Sequence, residues 1–281
     1  MSAVTAWRPI RRATVFLLLA ALLPGCASID HIRQLREAEE TFSRAAEQEN
    51  QARLGADAGG EASQATLAAI VSDGSAYRLA AQITDKLIRE KEAQLRQDNL
   101  LCTAYVIRSF SLWRLGDGAG AAAASKVNCG DSATLNRDRA LLKVVPALVE
   151  IDEADALGRN DAKTKDDYNR ERELVASALV ALTAADRDVP RDHPVRAYLF
   201  MSRLAAIRVQ HSAATRERVK ESSQTLVETV QLAGKTLTAY RTYLQCDAKV
   251  AREPVSVRNW QTLFGGEAAV PLETIECTAT P

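Results

Sequence analysis

The chain has 281 residues, with 36 Lys and Arg set against 36 Asp and Glu. That balance leaves no electrostatic footprint for nucleic acid. Apolar residues make up 47% but aromatics only 5%, and much of the apolar share is Ala and Leu. Such a mixture favours helices packed closely through small side chains, and the length suits one domain of about 250 residues or two smaller ones.

Residues 1–12 hold Arg8, Arg11 and Arg12 and no acid, and Ala13 to Leu23 is apolar apart from Thr14. A basic segment followed by a short apolar run reads as a secretory signal. A run this short, at about 1.5 Å per residue, does not cross a hydrocarbon core of about 30 Å. It ends in Leu23-Pro24-Gly25-Cys26, which resembles the lipobox of bacterial lipoproteins: Leu, a tolerant position, a small residue and Cys. The resemblance implies that residues 1–25 are cleaved as a signal peptide, that Cys26 is the lipid-attachment site, and that residues 26–30 form a tether. Two or three acyl chains hold firmly where one does not. In that family an Asp after the Cys favours retention in the inner membrane. Here Ala27 follows, so the implied address is the outer membrane, facing the periplasm. Loss of the signal would leave 33 basic against 36 acidic residues, a formal charge of −3. Without lipidation the same stretch would be an ordinary secretory signal.

Besides Cys26, the chain carries Cys102, Cys129, Cys246 and Cys277. An even number in an exported chain points to disulfides. Three connectivities are open; Cys102–Cys129 and Cys246–Cys277 are favoured for the geometric reason given below.

Residues 31–281 read as a helical domain. Asp30 to Leu54 is the first predicted helix, with Leu35, Ala38, Phe42 and Ala45 at helical spacing. Ala38 to Ala45 resembles the second helix of a tetratricopeptide repeat. Gly55 to Ser63 reads as a loop and is followed by a short helix to Val71. Ser72-Asp73-Gly74-Ser75 reads as a break, with Ser75 as the next cap. The helix to Asp98 would turn Leu79, Ile83, Leu87 and Leu95 inward, and Arg89-Glu90-Lys91-Glu92 reads as a solvated face.

Leu101 to Leu115 and Ala119 to Val127 read as two helices joined by the turn Gly116-Asp117-Gly118. Tyr105, Ser109, Leu112, Gly116 and Ala121 fall near the positions a tetratricopeptide unit fills with aromatic, small, large apolar, Gly and Ala residues, and the pair resembles one such unit. Cys102 would lie about 22 Å up one helix from the turn and Cys129 about 18 Å up the other. Both would sit at the open end of the hairpin, where a bridge pins it.

Ala133 to Leu157 reads as helical, with Pro146 expected to kink it or start a new helix. Polar residues 158–169 are a candidate boundary between lobes, or a long solenoid loop. Tyr168 to Ala185 returns to helix, with Leu174, Val175, Ala178, Leu179 and Leu182 inward. Asp188 to Pro194 is a turn into a helix from Val195 to His211 with the stripe Phe200, Leu204 and Ile207. After a break at Ser212 to Thr215, a long helix carries Leu226, Val230, Ala233, Leu237, Tyr240 and Leu244 inward. From Glu253 the chain changes character: Pro254, Gly265-Gly266 and Pro271 break helices around Trp260, Leu263 and Phe264.

Motifs for chemistry are missing. The three histidines, His31, His193 and His211, have no metal-ligand spacing, and neither His-Glu-x-x-His nor Gly-x-Ser-x-Gly occurs. Gly116-Asp117-Gly118-Ala119-Gly120 lacks the Lys of a phosphate loop and reads as a turn between helices. Asp152, Glu153, Asp155 and Asp161 read as a solvated helix end. The expectation is an all-α fold: antiparallel helix pairs in a solenoid resembling tetratricopeptide repeats, or an irregular bundle. No cofactor, metal site or catalytic residue is expected. The expected function is that of a non-enzymatic envelope lipoprotein binding a protein or peptide on its helical surface. The alternative is a solute-binding or accessory component of an envelope transporter, which requires a deep enclosed pocket.

Overall fold

A computed structural model describes residues 29–57, 65–66, 68–69, 73–130, 136–160, 164–191, 193, 195–216, 220–243 and 246. Among these residues the chain is all-α. In order the helices are α1 (Asp30–Asp57), α2 (Ser75–Gln97), α3 (Leu101–Arg114), α4 (Gly118–Ala124), α5 (Asn136–Gly158), α6 (Lys165–Arg187), α7 (Val195–Arg216) and α8 (Lys220–Thr242).

The helices in substantial contact form three kinds of pair. Each odd helix packs on the even helix that follows it: α1 on α2, α3 on α4, α5 on α6, α7 on α8. Each even helix packs on the next odd one, and each odd helix also touches the next odd one: α1 with α3, α3 with α5, α5 with α7. This is the arrangement of a solenoid of helix pairs, in which each unit buries its apolar face against its neighbours. The odd helices make one layer with lateral contacts along its length, and the even helices make the other.

Small residues set the spacing. Ala38, Ala80, Ala104, Ala121, Ala147, Ala178 and Ala233 are wholly buried, so helix axes approach closely where larger side chains would hold them apart. One apolar cluster runs from Phe110 on α3 through Val144, Leu148 and Ile151 on α5 and Leu174, Val175 and Leu182 on α6 to Leu199 on α7. A second joins α1, α2 and α3 through Leu35, Leu87, Leu95 and Ile107. Phe200 stacks on Tyr240 with ring centroids 5.4 Å apart, tying α7 to α8.

The α3–α4 hairpin follows the expected pattern. Ser109 and Ala121 are fully buried, and Gly116 takes φ +79° in the turn, a conformation that only Gly adopts without strain. Asp117 caps α4 by accepting from the Gly120 N–H at 2.8 Å, so the glycine-rich stretch serves as a turn between helices. Cys102 and Cys129 are bonded, with their Cα atoms 5.3 Å apart, and close the open end of this hairpin.

Several local expectations are corrected. Ser75 does not cap α2. Gly74 occupies that position at φ +54°, without a side-chain cap. Leu79 is 46% exposed, and the buried face of α2 is Tyr77, Ala80, Ala81, Thr84, Leu87, Ile88 and Leu95. Leu79 lies about 200° around the helix from Tyr77, so both cannot face inward. Helix α1 continues past Gly55 to Asp57, and α4 ends at Ala124 rather than Val127. Helix α5 runs on through Pro146 with no restart, and α7 continues through Ser212 to Thr215. Residues 65–66 and 68–69 are helical.

The polar stretch after Gly158 leads into a capping box. Thr164 Oγ1 accepts from the Asp167 N–H while Asp167 accepts from the Thr164 N–H, which satisfies two donors at the start of α6. The helices on either side of this stretch pack on each other and share one core. On α6, Leu174, Val175, Ala178 and Leu182 are buried. On α8, Val230, Ala233, Leu237 and Tyr240 are buried. The Leu226 side chain, Leu244, Asp161 and the tail from Glu253 lie outside the described residues.

Candidate functional site: the inner face of the odd helices

The site begins with one polar residue on an apolar stripe. On α1, His31, Leu35, Ala38, Phe42, Ala45, Glu49 and Ala52 recur at alternating steps of four and three, which keeps them on one face. Glu49 is 2% exposed. A carboxylate so enclosed requires partners. The Tyr77 hydroxyl of α2 donates to it at 2.7 Å, and Arg114 of α3 donates to it at 3.0 Å.

Arg114 also lies over the ring of its neighbour Trp113, 4.2 Å from the centroid. The Trp113 Nε1–H in turn donates to Asp152 of α5 at 2.6 Å. Behind these groups, Phe110 gathers the aromatic side chains of three odd helices. Its ring lies 6.3 Å from Phe42, 5.9 Å from Trp113 and 5.8 Å from Tyr198 of α7. Edge-on pairs of this kind contribute about 0.5–1.5 kcal/mol each beyond burial.

The Tyr198–Phe110 contact reaches from α7 to α3 past the intervening α5. The odd layer therefore curves around this strip, which lies on the inner face of the solenoid. Trp113, Arg114 and Tyr198 are half-buried and Asp152 is exposed. The large apolar residues exposed on the even helices, Leu79, Val180 and Val227, stand one to a helix and form no patch.

Burial pushes the Tyr198 hydroxyl up to about 12, with the positive charge of Arg114 opposing the shift. The sign follows from linkage. The unfolded tyrosine ionises near its usual value of about 10, whereas the folded one holds its proton further, so the stabilisation is complete below pH ~10 and is lost as pH rises toward about 12. An ultraviolet phenolate titration should show Tyr198 ionising above the usual range of a tyrosine, and Tyr198→Phe should remove one phenolate from the late part of the curve.

The other polar residues have structural partners. His31, 3% exposed, hydrogen-bonds Asp98 at 2.6 Å and joins the start of α1 to the end of α2. His193 Nδ1 accepts from the Val195 N–H at 3.2 Å and caps α7, and its carbonyl accepts from the hydroxyl of Tyr243, just past the end of α8, at 3.0 Å. Burial lowers the pKa of His211 on α7. Within the acidic run, Asp152 holds Trp113, Glu153 pairs with Arg170 at 3.3 Å, and Asp155 pairs with Arg159. The first two tie α5 to α3 and to α6, and the third stays local at the end of α5. Among the described residues no group of three His, Cys, Asp or Glu is placed to hold a metal ion.

Of the cysteines singled out in the sequence, Cys102 and Cys129 are bonded to each other. Cys246 is also disulfide-bonded, while Cys26 and Cys277 lie outside the described residues. No described helix is long and apolar enough to cross a membrane.

Two open clefts lie away from the strip. One of about 480 Å³ is lined by Asn136, Arg139, Ala140, Lys143 and Asp188. Another of about 450 Å³ runs along the α3–α4 hairpin and includes Tyr105, Arg108 and Lys126. The first is crossed by the Lys143–Asp188 ion pair at 2.5 Å.

Sequence reasoning missed the strip, although a signal for it was present. Glu49 continues the α1 stripe at a position that should be apolar, and a charge there announces a buried pair. Its partners on α2 and α3 have no marker in one sequence, because their meeting depends on how the pairs stack. Comparisons with family models, curated proteins and solved structures found no match for this chain.

Proposed function

We propose that the protein is a lipid-anchored lipoprotein of the bacterial envelope that holds a protein or peptide partner on the inner face of its helical solenoid and does no covalent chemistry. The observation that carries this reading is the strip itself. Trp113, Arg114, Tyr198 and Asp152 are fixed by rings and ion pairs, yet three of them are half-buried and Asp152 is exposed. Trp, Tyr and Arg are the residues that dominate protein interfaces, and rigid ones lose little freedom on binding. The open clefts do not favour a solute carrier, which encloses most of its ligand.

The anchor rests on Leu23-Pro24-Gly25-Cys26. Asp30 opens α1, so only three residues would separate a lipidated Cys26 from the first helix, a reach of roughly 14 Å at most over four residue steps. The first helix pair would then stand at the membrane surface, on the periplasmic side of an outer membrane. Intact mass of the membrane-extracted protein tests this. The expected species starts at Cys26 and carries two or three acyl chains, and Cys26→Ser should lose them and leave the detergent phase. An unacylated chain cut elsewhere would sink the anchor.

A further inference from the structure

The end of the solenoid opposite α1 holds a second charged cluster that the inner strip does not use. Arg196, Phe200 and Arg203 share one face of α7. The two guanidinium carbons lie 5.8 Å and 5.9 Å from the Phe200 ring centroid, within the range at which a cation is attracted to an aromatic face. The ring is held from behind by Tyr240, stacked at 5.4 Å, and by Tyr243 at 5.9 Å.

One carboxylate answers these two cations. Asp186, in the last turn of α6, meets Arg196 Nη2 at 3.3 Å, long for a charge-assisted bond, which is typically about 2.7–2.9 Å. Both side chains are largely buried. Arg203 makes no hydrogen bond or ion pair among the described residues. Two buried donors here have no partner, Arg196 Nε and Arg203 Nε, and both call for an acceptor; the unpartnered Asp186 Oδ1 is itself an acceptor and takes a donor, such as a water or an O–H of the bound group. Native interiors leave few such atoms, and a group of them marks a missing partner. Burial lowers the pKa of Arg203, Asp186 partly restores it, and Arg196 lowers it further. The cluster is therefore short of one negative charge.

We propose that Arg196 and Arg203 form an oxyanion-binding site beside Phe200, taking a small carboxylate or phosphate group between the two guanidinium forks. A guanidinium drawn to a ring face still needs oxygen partners for its N–H edges, and those edges match the paired oxygens of such groups. Phe200 and its tyrosine backing hold the forks in place, so little ordering accompanies binding.

The test is NMR of the arginine Nε–H groups in the full chain. Inorganic phosphate and succinate are titrated separately, with chloride keeping ionic strength constant. The expected result is a saturable shift of the Arg196 and Arg203 signals with at least one anion, and binding weakened about tenfold or more in Arg203→Gln, the loss expected for a charge-assisted bond. Saturation at lower phosphate or at lower succinate would identify the ligand type, and either supports the site. Shifts that never saturate, or equal affinity in Arg203→Gln, would overturn it. If Arg203→Gln does not fold, Arg203→Lys decides, because a point charge cannot reproduce the fork: weaker binding supports the site and unchanged binding refutes it.

Discussion

Replacing Cys102 and Cys129 together by Ser should lower the unfolding free energy by about 3–4 kcal/mol. The bridge closes a segment with a sequence separation of 27 residues, and in the chain-entropy account a loop of that length restricts the unfolded chain by this amount. At about 2–4 °C per kcal/mol for a chain of this size, melting should fall by roughly 6–16 °C. The native reason for the loss is local. Helix α4 has only seven residues, all Gly or Ala, and buries little of its own. Cys102 and Cys129 pack with Leu142 of α5, so the bridge fixes the end of the hairpin against the next pair. Calorimetry of the double variant against the native chain, both without reductant, measures the effect; reductant opens the bridge of Cys246 as well and should lower the melting point at least as far. A melting point unchanged by both would mean that packing alone holds α4.

Arg114→Ala should be the most damaging single change on the inner face, at about 3–5 kcal/mol. It removes the guanidinium from Glu49 and leaves a carboxylate 2% exposed without that countercharge. Breaking one side of a buried ion pair costs more than the pair contributes, because the remaining charge stays out of water. The account therefore predicts strong non-additivity. The double variant Glu49→Leu with Arg114→Met replaces both charges by apolar groups of similar bulk, and should recover part of the loss, short by the cost of taking the acceptor from the Tyr77 hydroxyl. Urea unfolding of the two single variants and the double variant checks this. Additive losses would show that Glu49 and Arg114 act separately.

Period and punctuation made much of the fold legible. The stripes of α1, α6 and α8 follow from apolar spacing, and the α3–α4 hairpin from its small residues, its Gly turn and the two cysteines that bracket it. Other features depended on competition between local and tertiary terms. Leu79 repeats with Ile83 and Leu87 at steps of four, but such a row drifts by about 40° per step, and α2 turns Tyr77, Ala80 and Thr84 inward instead. Gly55 and Pro146 are poor helix residues by propensity, yet α1 and α5 run through them, because packing along the rest of the helix outweighs a local cost. Buried charges were the least legible. Glu49, Asp138 and Glu171 all sit in helices whose polar residues were expected outside. Their positions on apolar stripes were visible, but Glu49 meets Tyr77 and Arg114, and Asp138 meets Thr103, on other helices. Arg196 and Arg203 gave no signal, since Arg in a helix reads as a solvated residue until the aromatic ring between them is seen.

Site-specific photo-crosslinking in the intact envelope tests the central claim most directly. A photoreactive residue at Asp152 reports on the inner strip, and one at Val180, 71% exposed on α6, reports on the outer layer. The account predicts a discrete protein adduct from position 152, suppressed by Trp113→Ala, and none from position 180. No adduct from position 152, or the same adducts from both, would contradict the inner face as the binding surface.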